Sequence, residues 1–236
     1  MLYDTSRAGN AGAEWFEPDW WRRRAQVRPS AEGRGAAQFI DAGDLHLVLR
    51  HYRRGGLMAR VSADRYWWRG AALTRSFAEW HILYTMHRAG LPVPVPIAAR
   101  YRRRDRTYTA DLLIQQIPAV QSLAAGLAAG PLSISRWVAI GRCLQRFHTA
   151  GVYHADLNAH NVLLGADEAV WLIDFDRGRL RRPGLWCDAN LVRLRRSVEK
   201  ITDQVAPGHF SEADWSSLLR GYFAAAAVPV PAPAAG

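Results

Sequence analysis

The sequence almost lacks lysine: Lys200 is the only one among 31 lysine and arginine residues. Acidic residues number 21, so the formal net charge is +10 and its positive part belongs almost wholly to arginine. The planar guanidinium group forms paired hydrogen bonds with phosphate and carboxylate groups. The composition therefore fits either a solvated basic surface or an anionic partner, such as nucleic acid, acidic lipid headgroups or a phosphorylated substrate.

Cysteine and long apolar runs are also scarce. Cys143 and Cys187 are the only cysteines, too few for a disulfide framework or a zinc site, which favours a reducing compartment. No window reaches the roughly 18 apolar residues of a membrane span, and no secretory signal is visible at the N-terminus. We therefore expect a soluble or surface-attached chain. Attachment to a membrane surface is predicted from tryptophans with neighbouring arginines: Trp15, Trp20, Trp21, Trp67 and Trp68.

The 236 residues suffice for one large domain or two small lobes. Residues 1–30 contain two prolines and are expected to form an irregular N-terminal extension. Strand patterns with one helix fill residues 31–120, residues 121–228 are mostly helical, and residues 229–236 are expected to be a disordered tail. This order predicts an α+β, bilobal fold with a β-rich N-lobe (31–120) and a reduced α-helical C-lobe (121–228).

Local patterns place the main elements. Extended runs cover residues 36–41 and 45–52, and a further strand covers 107–118. Two long helices are predicted, at 76–90 and 133–151. Ser76 and Glu79 have the spacing of a capping box at the start of the first helix, which "LPVPVP" ends. After the second helix, "VLLG" and "AVWLIDF" are predicted to be short strands around a turn.

The stretch "GVYHADLNAHNVLLG" (residues 151–165) carries the strongest chemical signal. Asp156 and Asn161 stand five positions apart, and Asp174 precedes Phe175 after the predicted hairpin. In phosphoryl transfer of the kinase type, a carboxylate orients and deprotonates the attacking hydroxyl, and oxygen ligands hold Mg²⁺ against the phosphates of ATP. We therefore predict that Asp156 is the catalytic base and that Asn161 and Asp174 are metal ligands. His154 is expected to orient the loop through hydrogen bonds.

A kinase also needs a fixed cation on the nucleotide phosphates, paired with a carboxylate on a helix. Lys200 lies well after the catalytic loop, so Arg50, at the end of "LHLVLR", is expected to replace the usual lysine, with Glu79 as its partner. The alternative is that Arg50 is a surface charge on a strand. Gly33 and Gly35, in "EGRG", are candidates for a turn that covers the phosphates, although the fuller glycine pattern is missing.

Together these motifs resemble the 3-deoxy-D-manno-octulosonic acid (Kdo) kinases, small kinase-fold enzymes of lipopolysaccharide core assembly. The resemblance covers roughly residues 33–200 and rests on "LRHYRRGG", "RSFAEW", "AGLPVPVPIAARY", "YTADLLIQQIP", "GVYHADLNAHNVLL" and "WLIDFDRGRLR". It implies a protein-kinase-like fold and ATP-dependent phosphorylation of the 4-hydroxyl of Kdo on a lipid A precursor. The implied location is the cytoplasmic face of the inner membrane, and Asp156 matches the family's catalytic aspartate.

Other functions were weighed against this resemblance. A kinase of the same fold acting on another small molecule or on a protein is one alternative. Ala155 stands where protein kinases carry an arginine, which argues against control through a phosphorylated activation loop. A kinase-like binder without activity is another, but a scaffold would more often have lost one of Asp156, Asn161 and Asp174. Nucleic acid is not expected as a partner, because the sequence contains no recognised nucleic-acid-binding module.

Overall fold

The chain divides into two compact units, Met1–Pro118 and Ala119–Gly236, called here the first and the second unit. The division lies close to residue 120, the predicted boundary between the N-lobe and the C-lobe. The computed structural model describes residues 1–9, 12–24, 26–29, 37–42, 44–54 and 64–226.

The first unit is built on an antiparallel sheet. Its strands and helices in chain order are β1 (Leu2–Tyr3), α1 (Thr5–Ala8), α2 (Pro18–Arg22), β2 (Gln26–Pro29), β3 (Ala37–Ala42), β4 (Leu45–His51), β5 (Tyr66–Trp67), α3 (Arg75–Arg88), β6 (Pro96–Arg104) and β7 (Thr107–Gln115). Within the described residues the strand order is β1-β6-β7-β4-β3-β2, and β5 pairs with β7. Leu47 and Leu49 of β4 are buried on one face of the sheet. Arg50 belongs to the opposite face, because successive side chains of a strand alternate.

The described N-terminal residues form regular elements rather than the irregular extension that was expected. Pro18 does not break the chain but occupies the first turn of α2, where a missing N–H is harmless. Phe16 and Trp21 are buried in an apolar cluster with side chains of β3, β4, β6 and β7, and Trp15 and Trp20 pack against that cluster. Trp21 is therefore part of the core of the first unit, whereas Trp15 and Trp20 keep part of their surface exposed.

The capping box predicted for α3 is wrong. Thr74 occupies the N-cap position without a side-chain capping bond. Ser76 is buried, and its hydroxyl donates to the carbonyl oxygen of Arg100 on β6 (2.8 Å). Glu79 accepts a hydrogen bond from Arg50 instead of bonding to the helix N-terminus. Packing of α3 on the sheet therefore recruits both side chains that the local pattern assigned to the cap.

Strand β6 has no counterpart among the predicted elements, because the proline-rich run conceals its start. Pro96 is its first residue, a position where a strand tolerates proline. β6 pairs with β1 on one side and with β7 on the other. The missed strand therefore joins the N-terminal residues to the centre of the sheet.

The second unit combines short strands with longer helices. Its elements are β8 (Gln121–Ser122), α4 (Leu123–Ala129), α5 (Ile134–Thr149), β9 (Val152–Tyr153), β10 (Val162–Leu164), β11 (Val170–Leu172), β12 (Arg179–Leu180), α6 (Trp186–Val205) and α7 (Glu212–Ala226). The helix predicted at residues 133–151 corresponds to α5, which buries its apolar face and is capped by the hydroxyl of Ser133. The expected tail, residues 229–236, lies outside the described residues.

Helices α5 and α7 approach each other at two glycines. A Cβ atom on Gly141 would overlap the carbonyl oxygen of Leu218, and a Cβ atom on Gly221 would overlap the carbonyl oxygen of Val138. Glycine is required at these positions because the opposing atoms are backbone and have no rotamer to change. The contact fixes α5, which leads directly into β9 and the candidate catalytic loop.

The α+β prediction is confirmed by these elements, with the antiparallel sheet in the first unit and mainly helices in the second. The second unit has Trp137, Phe147 and Leu194 among its fully buried side chains. None of the helices within the described ranges is long and apolar enough to cross a membrane.

We expect Gly141→Ala to lower the free energy of unfolding by about 3 kcal/mol, because the added methyl forces α5 and α7 apart. Urea denaturation measures the change. Gly130→Ala is the matched control, since no atom lies within contact distance of its Cβ position, and it should alter stability by less than about 1 kcal/mol. Equal effects of the two substitutions would contradict the tight α5–α7 contact.

Candidate active site

The candidate catalytic loop, residues 154–161, connects β9 to β10 in the second unit. β10 pairs with β11 as an antiparallel hairpin. One more backbone bond continues this ladder, from the N–H of Ile173 to the carbonyl oxygen of Asn161 (3.1 Å). Asp174 directly follows Ile173, so the structure brings the backbones at Asn161 and Asp174 close together.

The loop is shaped by hydrogen bonds among its own residues. The carbonyl oxygen of Asp156 accepts bonds from the side-chain amides of Asn158 (3.1 Å) and Asn161 (2.9 Å). The side-chain oxygen of Asn158 accepts a bond from the N–H of His160 (2.9 Å). The Asp156 side chain itself is 68% exposed. A fixed turn thus presents an accessible carboxylate, as a general base requires.

His154 is buried beneath this loop and orients it. Its Nδ1 accepts a bond from the N–H of Asp156 (3.2 Å), so its Nε2 carries the proton and donates to the carbonyl oxygen of Ile173 (2.9 Å). Burial lowers the pKa of His154 below its ordinary value. The neutral imidazole is the form that can accept at one nitrogen and donate at the other. His154 therefore positions the loop and does not itself serve as the acid or base.

Helix α6 holds the loop from the other side. The side-chain amide of Asn190 brackets the backbone of His154: its oxygen lies 3.4 Å from the N–H, and its nitrogen donates to the carbonyl oxygen (2.9 Å). The hydroxyl of Ser197 accepts a bond from the N–H of Ala159 (3.1 Å). These contacts satisfy polar groups that the short loop would otherwise leave unpaired.

Arg193 belongs to the same face of α6, and sequence reasoning missed it. Its Nη1 lies 3.8 Å from a carboxylate oxygen of Asp156. Asn190, Arg193 and Ser197 follow the i, i+3, i+7 spacing of one helix face. A polar face of this spacing, in a helix that follows the loop, is the sequence signal that could have found them.

The turn after β11 gives Asp174 a left-handed backbone, with φ of 63°. The next residue, Phe175, is buried and stacks on Phe147 (5.8 Å between ring centroids) and against His154 (4.7 Å). An aspartate tolerates this backbone better than most residues. The turn therefore anchors Phe175 in the core directly after Asp174.

The donor set of this region suits a hard divalent cation. The side-chain nitrogen of Asn161 is used in the bond to Asp156, which leaves its oxygen to coordinate, and Asp174 offers a carboxylate. Across the described part of the chain, no three His, Cys, Asp or Glu side chains form a group that could hold a metal ion. Asn161 and Asp174 are two oxygen donors that would hold Mg²⁺ together with oxygens supplied by a bound ligand.

The first unit contains the predicted pair of Arg50 and Glu79. Nη1 of Arg50 lies 2.8 Å from Oε1 of Glu79, and the two side chains are 23% and 1% exposed. The hydroxyl of Tyr52, a residue that sequence reasoning did not identify, donates to the other carboxylate oxygen of Glu79. Arg50 is therefore held by a buried carboxylate and is not a free surface charge.

Two predicted positions, Gly33 and Gly35, lie outside the described residues. Lys200 is exposed on α6. It therefore lies, as the sequence order implied, on a different element from the Arg50–Glu79 pair.

Known proteins resemble this chain in sequence and in fold. Residues 18–222 match the family model of the Lipopolysaccharide kinase (Kdo/WaaP) family. The 3-deoxy-D-manno-octulosonic acid kinase of Xanthomonas axonopodis pv. citri is 48% identical over 224 residues, which cover 94% of this chain and 88% of the relative. The enzyme of that name from Stenotrophomonas maltophilia is 48% identical over 225 residues, with the same coverage. Among solved structures, the Cydia pomonella granulovirus kinase PK-1 is similar at a TM-score of 0.46 and 9% identity, covering 69% of this chain and 55% of that chain.

Stability should fall as the pH drops from about 6.5 to 4, because burial also lowers the pKa of His148 to about 4. Between pH 6.5 and 4 this histidine is protonated in the unfolded chain but stays neutral in the folded chain. The neutral His148 therefore contributes roughly 3 kcal/mol to the free energy of unfolding above pH 6.5, and this contribution is lost on acidification. Denaturation at several pH values measures this loss. His148→Gln should flatten the dependence, whereas the exposed His81→Gln should keep it. An unchanged slope in His148→Gln would contradict a buried neutral His148.

Proposed function

Because the chain belongs to the Lipopolysaccharide kinase (Kdo/WaaP) family, we propose that it is an ATP-dependent kinase that phosphorylates the 4-hydroxyl of Kdo on a lipid A precursor. The observation that carries this proposal is the accessible Asp156 carboxylate, in a loop fixed by His154 and joined through its backbone to the segment of Asp174. Kinases are phosphotransferases, and the roles of these side chains follow from that chemistry.

In the proposed reaction, the Asp156 carboxylate accepts the proton of the acceptor hydroxyl as the hydroxyl oxygen bonds to the γ-phosphorus of ATP. The bond between that phosphorus and the β,γ-bridging oxygen breaks, and ADP leaves with the bonding pair. Asp156 therefore needs to be ionised and reachable, which its 68% exposure supports. His154 and α6 contribute by holding the loop still, so that the Asp156 carboxylate is already oriented before the acceptor binds.

The proposed cofactors are ATP and Mg²⁺. Asn161 and Asp174 would hold the ion, which when bound neutralises charge that develops on the phosphate oxygens. Arg50 would place its guanidinium on the nucleotide phosphates, and Glu79 would fix its orientation through the 2.8 Å contact. A guanidinium can bridge two phosphate oxygens, a geometry that differs from the point contact of a lysine.

The proposed place of action is the cytoplasmic face of the inner membrane, where the lipid acceptor is held. Trp67 on β5 is 66% exposed, and an open depression of about 350 Å³ nearby is lined by Arg65, Arg102, Arg103 and Arg104. An exposed tryptophan beside a row of arginines suits the headgroup region of an anionic bilayer. This surface of the first unit is the proposed membrane contact.

Asp156→Asn should reduce phosphate transfer to Kdo-lipid A precursor by about a thousandfold, because the amide keeps the acceptor geometry but takes up no proton. Transfer from labelled ATP gives the rate, and mass spectrometry of the lipid locates the phosphate. Asp167→Asn, an exposed carboxylate on the hairpin turn, is the matched control and should retain full activity. No phosphate on Kdo with wild-type protein, or a phosphate only on another acceptor, would overturn the proposed function.

The membrane surface is tested by co-sedimentation with vesicles. Wild-type protein should bind phosphatidylglycerol vesicles at low salt and phosphatidylcholine vesicles weakly, because each arginine gains about 1 kcal/mol near an anionic surface. Trp67→Thr combined with Arg102→Gln and Arg104→Gln should weaken binding at least tenfold. The control, Arg142→Gln with Arg220→Gln, removes the same charge from exposed sites on α5 and α7. Equal losses in both variants would refute the assignment of this surface.

A further inference from the structure

Arg193 is held beside Asp156 by the contacts that flank it on α6. Asn190, one turn before Arg193, is bonded to the loop backbone, and Ser197, one turn after it, is bonded there as well. The helix and the loop therefore form one rigid piece at this point. That framework fixes the backbone of Arg193 next to the loop, and its Nη1 lies 3.8 Å from a carboxylate oxygen of Asp156.

The guanidinium of Arg193 has donors to spare. At 3.8 Å the contact with Asp156 is an ion pair without a hydrogen bond, and Arg193 makes no hydrogen bond anywhere within the described residues. The two side chains are 51% and 68% exposed. An arginine carries five N–H donors, so most of those on Arg193 face solvent next to the proposed base.

The neighbouring Arg195 shows the contrast. Its guanidinium is bound by two carboxylates, with bonds of 2.7 Å to Glu199 and 2.6 Å to Glu212. That arginine ties α6 to the start of α7 and has a structural role. Arg193 has a single loosely placed anionic neighbour, which is the group proposed to act on the acceptor.

We propose that Arg193 is the binding site for the carboxylate of an acidic sugar acceptor. This inference rests on the proposed function, since Kdo is an octulosonic acid and carries a carboxylate on the same sugar as its 4-hydroxyl. A carboxylate base repels an anionic acceptor. Arg193 cancels that repulsion beside Asp156, and its planar fork matches a carboxylate with two parallel hydrogen bonds. The acceptor is thereby selected for its charge and turned so that its hydroxyl meets Asp156.

Steady-state kinetics with two acceptors test this assignment. The acceptors are Kdo-lipid A precursor and the same lipid with its Kdo carboxylate converted to the methyl ester. Wild-type protein should show an acceptor KM that is about 10- to 100-fold lower for the acid than for the ester, the range of a lost charge-assisted hydrogen-bond pair.

Arg193→Gln should raise the acceptor KM for the acid to that of the ester, remove the discrimination and leave the KM for ATP unchanged. Arg193→Lys should recover part of the preference, because it restores the charge without the fork. Arg196→Gln is the matched control: an exposed arginine one turn further along α6 that makes no hydrogen bond within the described residues. It should behave as wild type.

Direct binding of free Kdo and its methyl ester, followed by calorimetry, separates this inference from the proposed function. Kdo binding that depends on Arg193 in a protein without Kdo kinase activity would overturn only the proposed function. If the protein has normal Kdo kinase activity and the ratio of the acceptor KM values for ester and acid is the same in wild type and Arg193→Gln, only the inference is overturned. A raised KM for ATP, or a fall in kcat that is the same for both acceptors, would place Arg193 on the transferred phosphate and also overturn it.

Discussion

The candidate site depends on one neutral imidazole. His154 donates from one ring nitrogen to the carbonyl oxygen of Ile173 and accepts at the other from the N–H of Asp156. A single side chain thus fixes both the proposed base and the residue before Asp174. Burial against Phe175 favours the neutral form that these two bonds require. The geometry of the loop therefore depends on His154 remaining neutral.

The secondary-structure elements that the sequence predicted correctly are formed by neighbours in the chain. Likewise, the side-chain amide of Asn161 donates to the carbonyl oxygen of Asp156, five residues earlier. This contact forms within the loop itself. The β10–β11 hairpin and α5 follow from apolar periodicity and turn residues in the same way. Arg50 and Glu79 are far apart in the chain, and their pairing was predicted because the resemblance to kinases supplied the long-range relation.

Other features depend on partners that no local pattern names. Ser76 has the spacing of a cap, yet it bonds to Arg100 on a strand that the prolines concealed. Arg195 has Glu199 four residues further along its helix, but only the fold brings Glu212 to Arg195 and Asp156 to Arg193. Side chains near a site take their roles from the elements that pack around them, which is why propensity and spacing alone assign them poorly.

The use of arginine in the Arg50–Glu79 pair also determines how this chain reacts with chemical probes. A guanidinium stays protonated at any pH a protein tolerates and is a poor nucleophile, so reagents that acylate amines leave Arg50 intact. The only side-chain amine is that of Lys200, which is exposed on α6. Among the side chains, amine chemistry therefore has one target, and that target lies in the second unit, whereas the Arg50–Glu79 pair lies in the first.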